Sequence, residues 1–177
     1  MNKVLNIILI IATLGAIGTL FYSVAKPTSE RFSEFYLLGI KGQAADYPTN
    51  FIIESSSPSV PGSEGQLYDV EYGAGTIPVN EKWGRVTLNI VNYEGQMTSY
   101  IVKMVIDGQA AKIPFEGDNV QEIGPLILAP ENKWEGEIGI VPKYVGDNQK
   151  VELFLYKNGM SEPYLSLHLW INIKQNG

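Results

Sequence analysis

Two runs in the middle of this chain place apolar side chains at every second position, and that period decides what the chain can fold into. Val86, Leu88 and Ile90 share one face of residues 85–91, and Tyr100, Val102, Met104 and Ile106 share one face of residues 98–106. Successive side chains of a strand point to opposite faces, so this spacing predicts strands with one buried and one wetted face. Asn92-Tyr93-Glu94-Gly95-Gln96 has turn chemistry between the two runs. Asp107-Gly108 predicts the tip of a further hairpin leading into residues 109–115.

The second half continues in the same style, with strands expected at residues 120–128, 133–141, 150–156 and 164–173, separated by Pro-, Gly- and Asn-bearing turns. In the last of these, Leu165, Leu167, Leu169, Ile171 and Ile173 are expected to face inward. Ser166, His168, Trp170, Asn172 and Lys174 are expected to face outward. No segment after residue 30 has a helical period. About seven strands at this spacing predict an all-β domain, an immunoglobulin-like antiparallel β-sandwich.

The N-terminal end is different in kind. Residues 4–25 carry no charged side chain, and residues 7–24 are almost wholly apolar. At about 1.5 Å per residue, some 20 apolar residues span the roughly 30 Å hydrocarbon core of a bilayer, so one N-terminal transmembrane helix is expected, contacting lipid through residues 4–25. Ser23-Val24-Ala25 supplies a small-x-small cleavage site, so a removed signal peptide is the competing reading, but the run is longer than a cleaved signal needs. A retained signal-anchor is favoured. Residues 1–25 are therefore the anchor and 26–33 a linker, and residues 34–177 form the sandwich. That domain is placed outside the cytoplasm, on a single-pass cell-membrane protein. Ala12, Gly15, Ala16 and Thr19 recur at i, i+3, i+4 and i+7, a face of small residues that lets two membrane helices pack closely and makes self-association a candidate.

About 145 residues come after the segment, enough for one core. Ten basic and eighteen acidic residues from Phe32 onward leave this part near −8, which excludes an electrostatic footprint for nucleic acid. The absence of cysteine removes disulfides, thiol catalysis and thiolate metal sites, so an exported domain would rely on packing alone. Asn-linked glycan is not expected either, because no Asn-x-Ser/Thr sequon occurs. Residues 54–83 interrupt the strand pattern with Ser, Pro and Gly and are expected to be a long insertion loop, with one short strand near residues 67–72.

The stretch from Glu34 through Phe35-Tyr36-Leu37-Leu38-Gly39 to Asp46-Tyr47-Pro48 and Asn50 resembles the opening signature of an uncharacterised, mainly archaeal family of membrane-attached domains of unknown function. Residues 86–105, with the Asn92-Tyr93-Glu94-Gly95 turn, are similar to its second motif. The resemblance implies an exported β-sandwich and no known activity. This chain has one membrane segment where several are common in the family, and it carries the insertion at 54–83.

Chemistry-bearing residues are sparse. His168 is the only histidine, which excludes a multi-histidine metal site, and it is expected on the surface. Glu116, Asp118 and Asn119 in one turn and Asp147-Asn148 in another are oxygen-rich enough for Ca²⁺ but lack the EF-hand spacing. Tyr68, Tyr72 and Trp83 lie in or beside the insertion, where an exposed aromatic cluster would be a partner or glycan surface, or would pin the loop to the sheet. No reaction and no cofactor are expected. The function expected is a membrane-anchored extracytoplasmic structural or protein-interaction module, such as an accessory subunit of a cell-surface assembly. A pilin-like filament subunit with bundled N-terminal helices and a Ca²⁺- or glycan-binding module are the alternatives.

Overall fold

The computed structural model describes residues 30–53, 66–73 and 77–175, together with Thr13, Gly15, Ile17 and Thr19. The chain divides into two units, Met1–Glu30 and Arg31–Gly177. In the first, Thr13, Gly15, Ile17 and Thr19 are helical and exposed. The rest of the expected membrane helix, Ala12 and Ala16 included, lies outside the described residues, as do residues 54–65 and 74–76 of the insertion. Among the described residues, no helix is long and apolar enough to cross a membrane.

The second unit is all-β. Its strands in chain order are β1 (Phe32–Leu38), β2 (Pro48–Ile53), β3 (Tyr68–Tyr72), β4 (Val79–Glu81), β5 (Gly84–Tyr93), β6 (Thr98–Ile106) and β7 (Gln109–Ala111). They continue with β8 (Ile113–Phe115), β9 (Asp118–Val120), β10 (Ile123–Leu128), β11 (Lys133–Ile140), β12 (Gly146–Lys157) and β13 (Leu165–Gln175). The smaller sheet runs β1-β5-β11-β8-β9 and the larger β10-β6-β12-β13-β2-β3-β4, with β7 also paired to β6. Pairing is antiparallel except between β13 and β2, which run parallel with Ile173 opposite Phe51.

The expected alternation is what fills the space between the sheets. Val86, Leu88 and Ile90 from the smaller sheet meet Tyr100, Val102, Met104 and Ile106 from the larger, and Leu153, Ile171 and Ile173 complete the same core. Outward residues of β13 behave as their parity requires, and Trp170 is 53% exposed.

Four features depart from the expected layout. β1 starts at Phe32, so the last two residues of the 26–33 linker are strand, and Ser33 is buried. The insertion contains two strands, β3 and β4, where one was expected. The segment expected as one strand over 109–115 breaks at Lys112, where the chain leaves the larger sheet and enters the smaller. It returns between Val120 and Ile123, so the 120–128 strand is also divided and the β8–β9 hairpin belongs to the opposite sheet from its flanks. That hairpin turns at Glu116-Gly117, both with positive φ (51° and 90°), the two-residue geometry whose twist suits adjacent strands.

Candidate functional site

The turn that ends β5 carries a polar cluster that ties the two sheets together. Glu94 is nearly buried, and its Oε1 accepts hydrogen bonds from Ser33 Oγ at 2.8 Å, Lys157 Nζ at 2.9 Å and Tyr164 OH at 3.0 Å. The Ser33 proton is committed to the carboxylate, so the Tyr100 hydroxyl, 2.7 Å away, donates to Ser33 Oγ. Asn92 supports the turn by donating to the carbonyls of Gln96 and Leu128, both at 2.8 Å, while its Oδ1 accepts the Glu94 N–H at 2.9 Å. Burial alone would raise the Glu94 pKa, but the donors Lys157, Ser33 and Tyr164 outweigh it and hold the carboxyl below its ordinary value. Lys157 is held above its ordinary value, because the Glu94 hydrogen bond and the Tyr164 ring 3.7 Å below its ammonium outweigh its burial. With its donors committed within the fold, this cluster is a charged clasp between the sheets.

Of the residues singled out beside the insertion, Tyr68 and Tyr72 are 1% exposed and belong to the core, not to a partner surface. The physical reason is parity, since Tyr68, Val70 and Tyr72 form the inward face of β3. Tyr68 meets Phe51 edge to face at 5.8 Å. The Tyr72 hydroxyl donates to Glu81 and accepts the Arg85 N–H at 2.8 Å, and Glu81 in turn binds the Arg85 guanidinium at 2.5 Å. Burial, reinforced by Glu81, pushes the Tyr72 phenol up to about 12. Gly15 and Thr19 of the small-residue face are exposed helical positions.

Trp83 lies elsewhere, in a groove of about 290 Å³ on the smaller sheet. Two glycines of β11 shape it. A Cβ on Gly139 would come within 2.7 Å of the Trp83 ring, and one on Gly136 within 2.6 Å of the Trp134 ring, so each indole lies against bare backbone. On the core-facing side the Phe115 ring lies 5.9 Å from that of Trp134. The remaining lining includes Glu116, Glu135 and Glu137 and no cationic side chain. Trp134 and Phe115 were not singled out from sequence; their signal was a Trp-x-Gly pattern on a strand, which periodicity alone reads as core. A second cleft, of about 260 Å³, runs between β1 and β13 and is lined mainly by Tyr36, Leu37, Ala44, Tyr47 and Leu167, with His168 at its side. Among the described residues, no group of three or more His, Cys, Asp or Glu converges to hold a metal ion, and the acidic turns at Glu116 and Asp147 are not joined into one site.

Fold and clefts together define a two-sheet β-sandwich with a polar clasp and an aromatic, carboxylate-lined groove. Residues 62–172 match the family described as Domain of unknown function (DUF1616), and the chain belongs to that family. The matched residues take in Asn92 and Glu94 of the clasp and the whole lining of the groove, while the signature beginning at Glu34 lies outside them. No curated protein matches the chain in sequence. Among solved structures, it is similar to the CARDB domain of a Pyrococcus furiosus protein crystallised in complex with di-metal ions, at 9% identity and a TM-score of 0.43, covering 85% of this chain and 100% of that one. It is also similar to a domain of the outer membrane lipoprotein Omp28 from Porphyromonas gingivalis, at 15% identity and a TM-score of 0.27, covering 53% of this chain and 87% of that one.

Proposed function

We propose that this protein is a membrane-anchored, extracytoplasmic interaction module, a β-sandwich held at the cell surface to engage other proteins as an accessory subunit of an envelope assembly. The observation that carries the reading is the order of the chain: an uncharged, apolar run over residues 4–25 leads within a few residues into a cysteine-free β-sandwich. A run of that length is stable across a bilayer and ties the domain after it to one face of the membrane. The sandwich has the polar economy of a scaffold, because a nearly buried charged group, Glu94, is spent on holding β1 to β12. Its groove, by contrast, presents three exposed carboxylates beside the half-buried Trp83 indole, a composition suited to recognition. No reaction is assigned.

Intact-mass analysis of the full chain extracted from membranes with a neutral detergent tests the anchor. The expected result is a mass that includes the whole apolar segment. A chain beginning after Ala25 would overturn the anchor and leave a released domain, and cleavage just before the apolar run would replace it with the filament-subunit reading.

A further inference from the structure

The groove beside Trp83 coincides with a gap in the hydrogen-bond ladder. β11 pairs with β5 along its whole length, from Lys133 opposite Val91 to Ile140 opposite Gly84, but on its other side it meets β8 only where Ile138 faces Phe115. The chain then turns away at Glu116-Gly117. Residues 133–137 of β11 therefore have no strand partner on that side among the described residues, and the groove lies along this open edge. An open edge presents alternate backbone N–H and C=O groups, which are a template for one more strand.

Three observations narrow what could occupy it. The volume, about 290 Å³, is at the small end of ligand pockets, so it suits a side chain or two of an extended polypeptide better than a free metabolite. The walls are aromatic on both sides of the strand, with Trp83 against Gly139 on the outer face and Trp134 and Phe115 against Gly136 on the core-facing side. The charge is of one sign, since Glu116, Glu135 and Glu137 line the groove without a cation. Glu135 is offset by Lys133 at 2.6 Å and Glu137 only distantly by Arg85 at 4.0 Å, and Glu116 has no ion-pair partner among the described residues. Indole faces with adjacent carboxylates attract an ammonium or guanidinium. A second copy of this acidic chain would bring like charge to the same edge, which disfavours self-pairing.

We infer that the β11 edge takes an extended segment of another protein by strand addition, with a lysine or arginine of that segment seated beside Trp83 and the three carboxylates on the outer face of the sheet. The inference rests on reading the domain as an interaction module, but not on its being anchored. A released domain would bind the same segment, and an anchored one without this site would still be retained in membranes.

The test is a titration of the full chain in neutral detergent, in a Trp170→Phe background so that emission comes from Trp83 and Trp134 alone. The probes are the hexapeptide Thr-Lys-Val-Lys-Val-Thr with blocked ends, its counterpart with glutamate in place of both lysines, a form N-methylated at alternate amides, and maltohexaose. The lysine peptide is expected to give a saturable change in emission, with the glutamate and N-methylated forms each weaker by about tenfold or more. Glu116→Gln with Glu137→Gln is expected to weaken the lysine peptide by about fivefold and to flatten its salt dependence, with an unchanged melting temperature because neither carboxylate supports the core. No saturable change with the lysine peptide, an equal response to the glutamate or N-methylated form, or a response to maltohexaose alone would overturn the inference.

Discussion

Lys157 places its ammonium 2.9 Å from a carboxylate oxygen of Glu94 and 3.7 Å above the ring of Tyr164. The two charged groups are separated by 63 residues in sequence, and with Ser33 they join β1 of one sheet to β12 of the other. Removing one member of such a pair leaves the other charge in a site with little water. Buried pairs broken in this way lose about 3–5 kcal/mol. Lys157 keeps partial access to solvent, so Glu94→Ala is expected to cost about 2–4 kcal/mol, read from the shift in urea midpoint at constant slope.

The same carboxylate gives the domain an acid limit. Its pKa is held below the ordinary 4.5, so the stability that it contributes is fully present above that value and is lost as pH falls through the lower, folded-state value. Urea midpoints measured from pH 6 downward are expected to fall more steeply for the native protein than for Glu94→Gln. Parallel curves would show that Glu94 has no linkage to folding.

Tyr72 sets a corresponding limit in alkali. Its folded-state value of about 12 exceeds its ordinary 10, so the neutral phenol is favoured by folding. Stability on this account is whole below pH 10 and declines as pH rises from 10 to 12, because only the unfolded chain ionises there. At about 1.4 kcal/mol per pKa unit the decline is about 2–3 kcal/mol. Tyr72→Phe is expected to be less stable at neutral pH, having lost the bond to Glu81, and to show a shallower alkaline slope.

Gly139 is expected to tolerate no side chain. The Cβ of an alanine would lie 2.6 Å from Pro114 Cβ and 2.7 Å from the Trp83 ring, so the indole must lift from the strand. Gly139→Ala should cost about 1–3 kcal/mol, as overpacking does, and should shift the tryptophan emission to the red. An unchanged spectrum would show that Trp83 does not rest where the groove requires it.

How far these features were legible in the sequence depends on the range of the interaction. Parity along one strand is local, and it located the inward faces of β5, β6 and β13 residue by residue. The same parity was present in Tyr68-x-Val70-x-Tyr72, and a short strand was expected there, but the Ser, Pro and Gly residues around it made its tyrosines read as loop aromatics rather than core. Period two carries no information about which sheet a strand joins, so the crossings at Lys112 and after Val120 were invisible, and with them the open edge of β11. Glu94 stood in a recognisable turn, yet nothing near it announced Lys157 or Ser33, because a clasp between sheets is defined only once the sheets are stacked. Gly136 and Gly139 read as weak strand residues, whereas their role is to leave room for rings brought in from Trp134 and Trp83.

The central claim is that the sandwich is displayed outside the cytoplasm by an anchor that stays in the membrane. Labelling intact cells with a membrane-impermeant amine reagent, followed by mass mapping of the membrane-extracted chain, tests it most directly. Lys41 and Lys103 are 63% and 48% exposed on the domain and are the lysines to follow. The account predicts that both are labelled in intact cells, on a chain that alkaline carbonate does not release from the membrane. Labelling of these lysines only after lysis, or their recovery on a chain that carbonate releases, would contradict it.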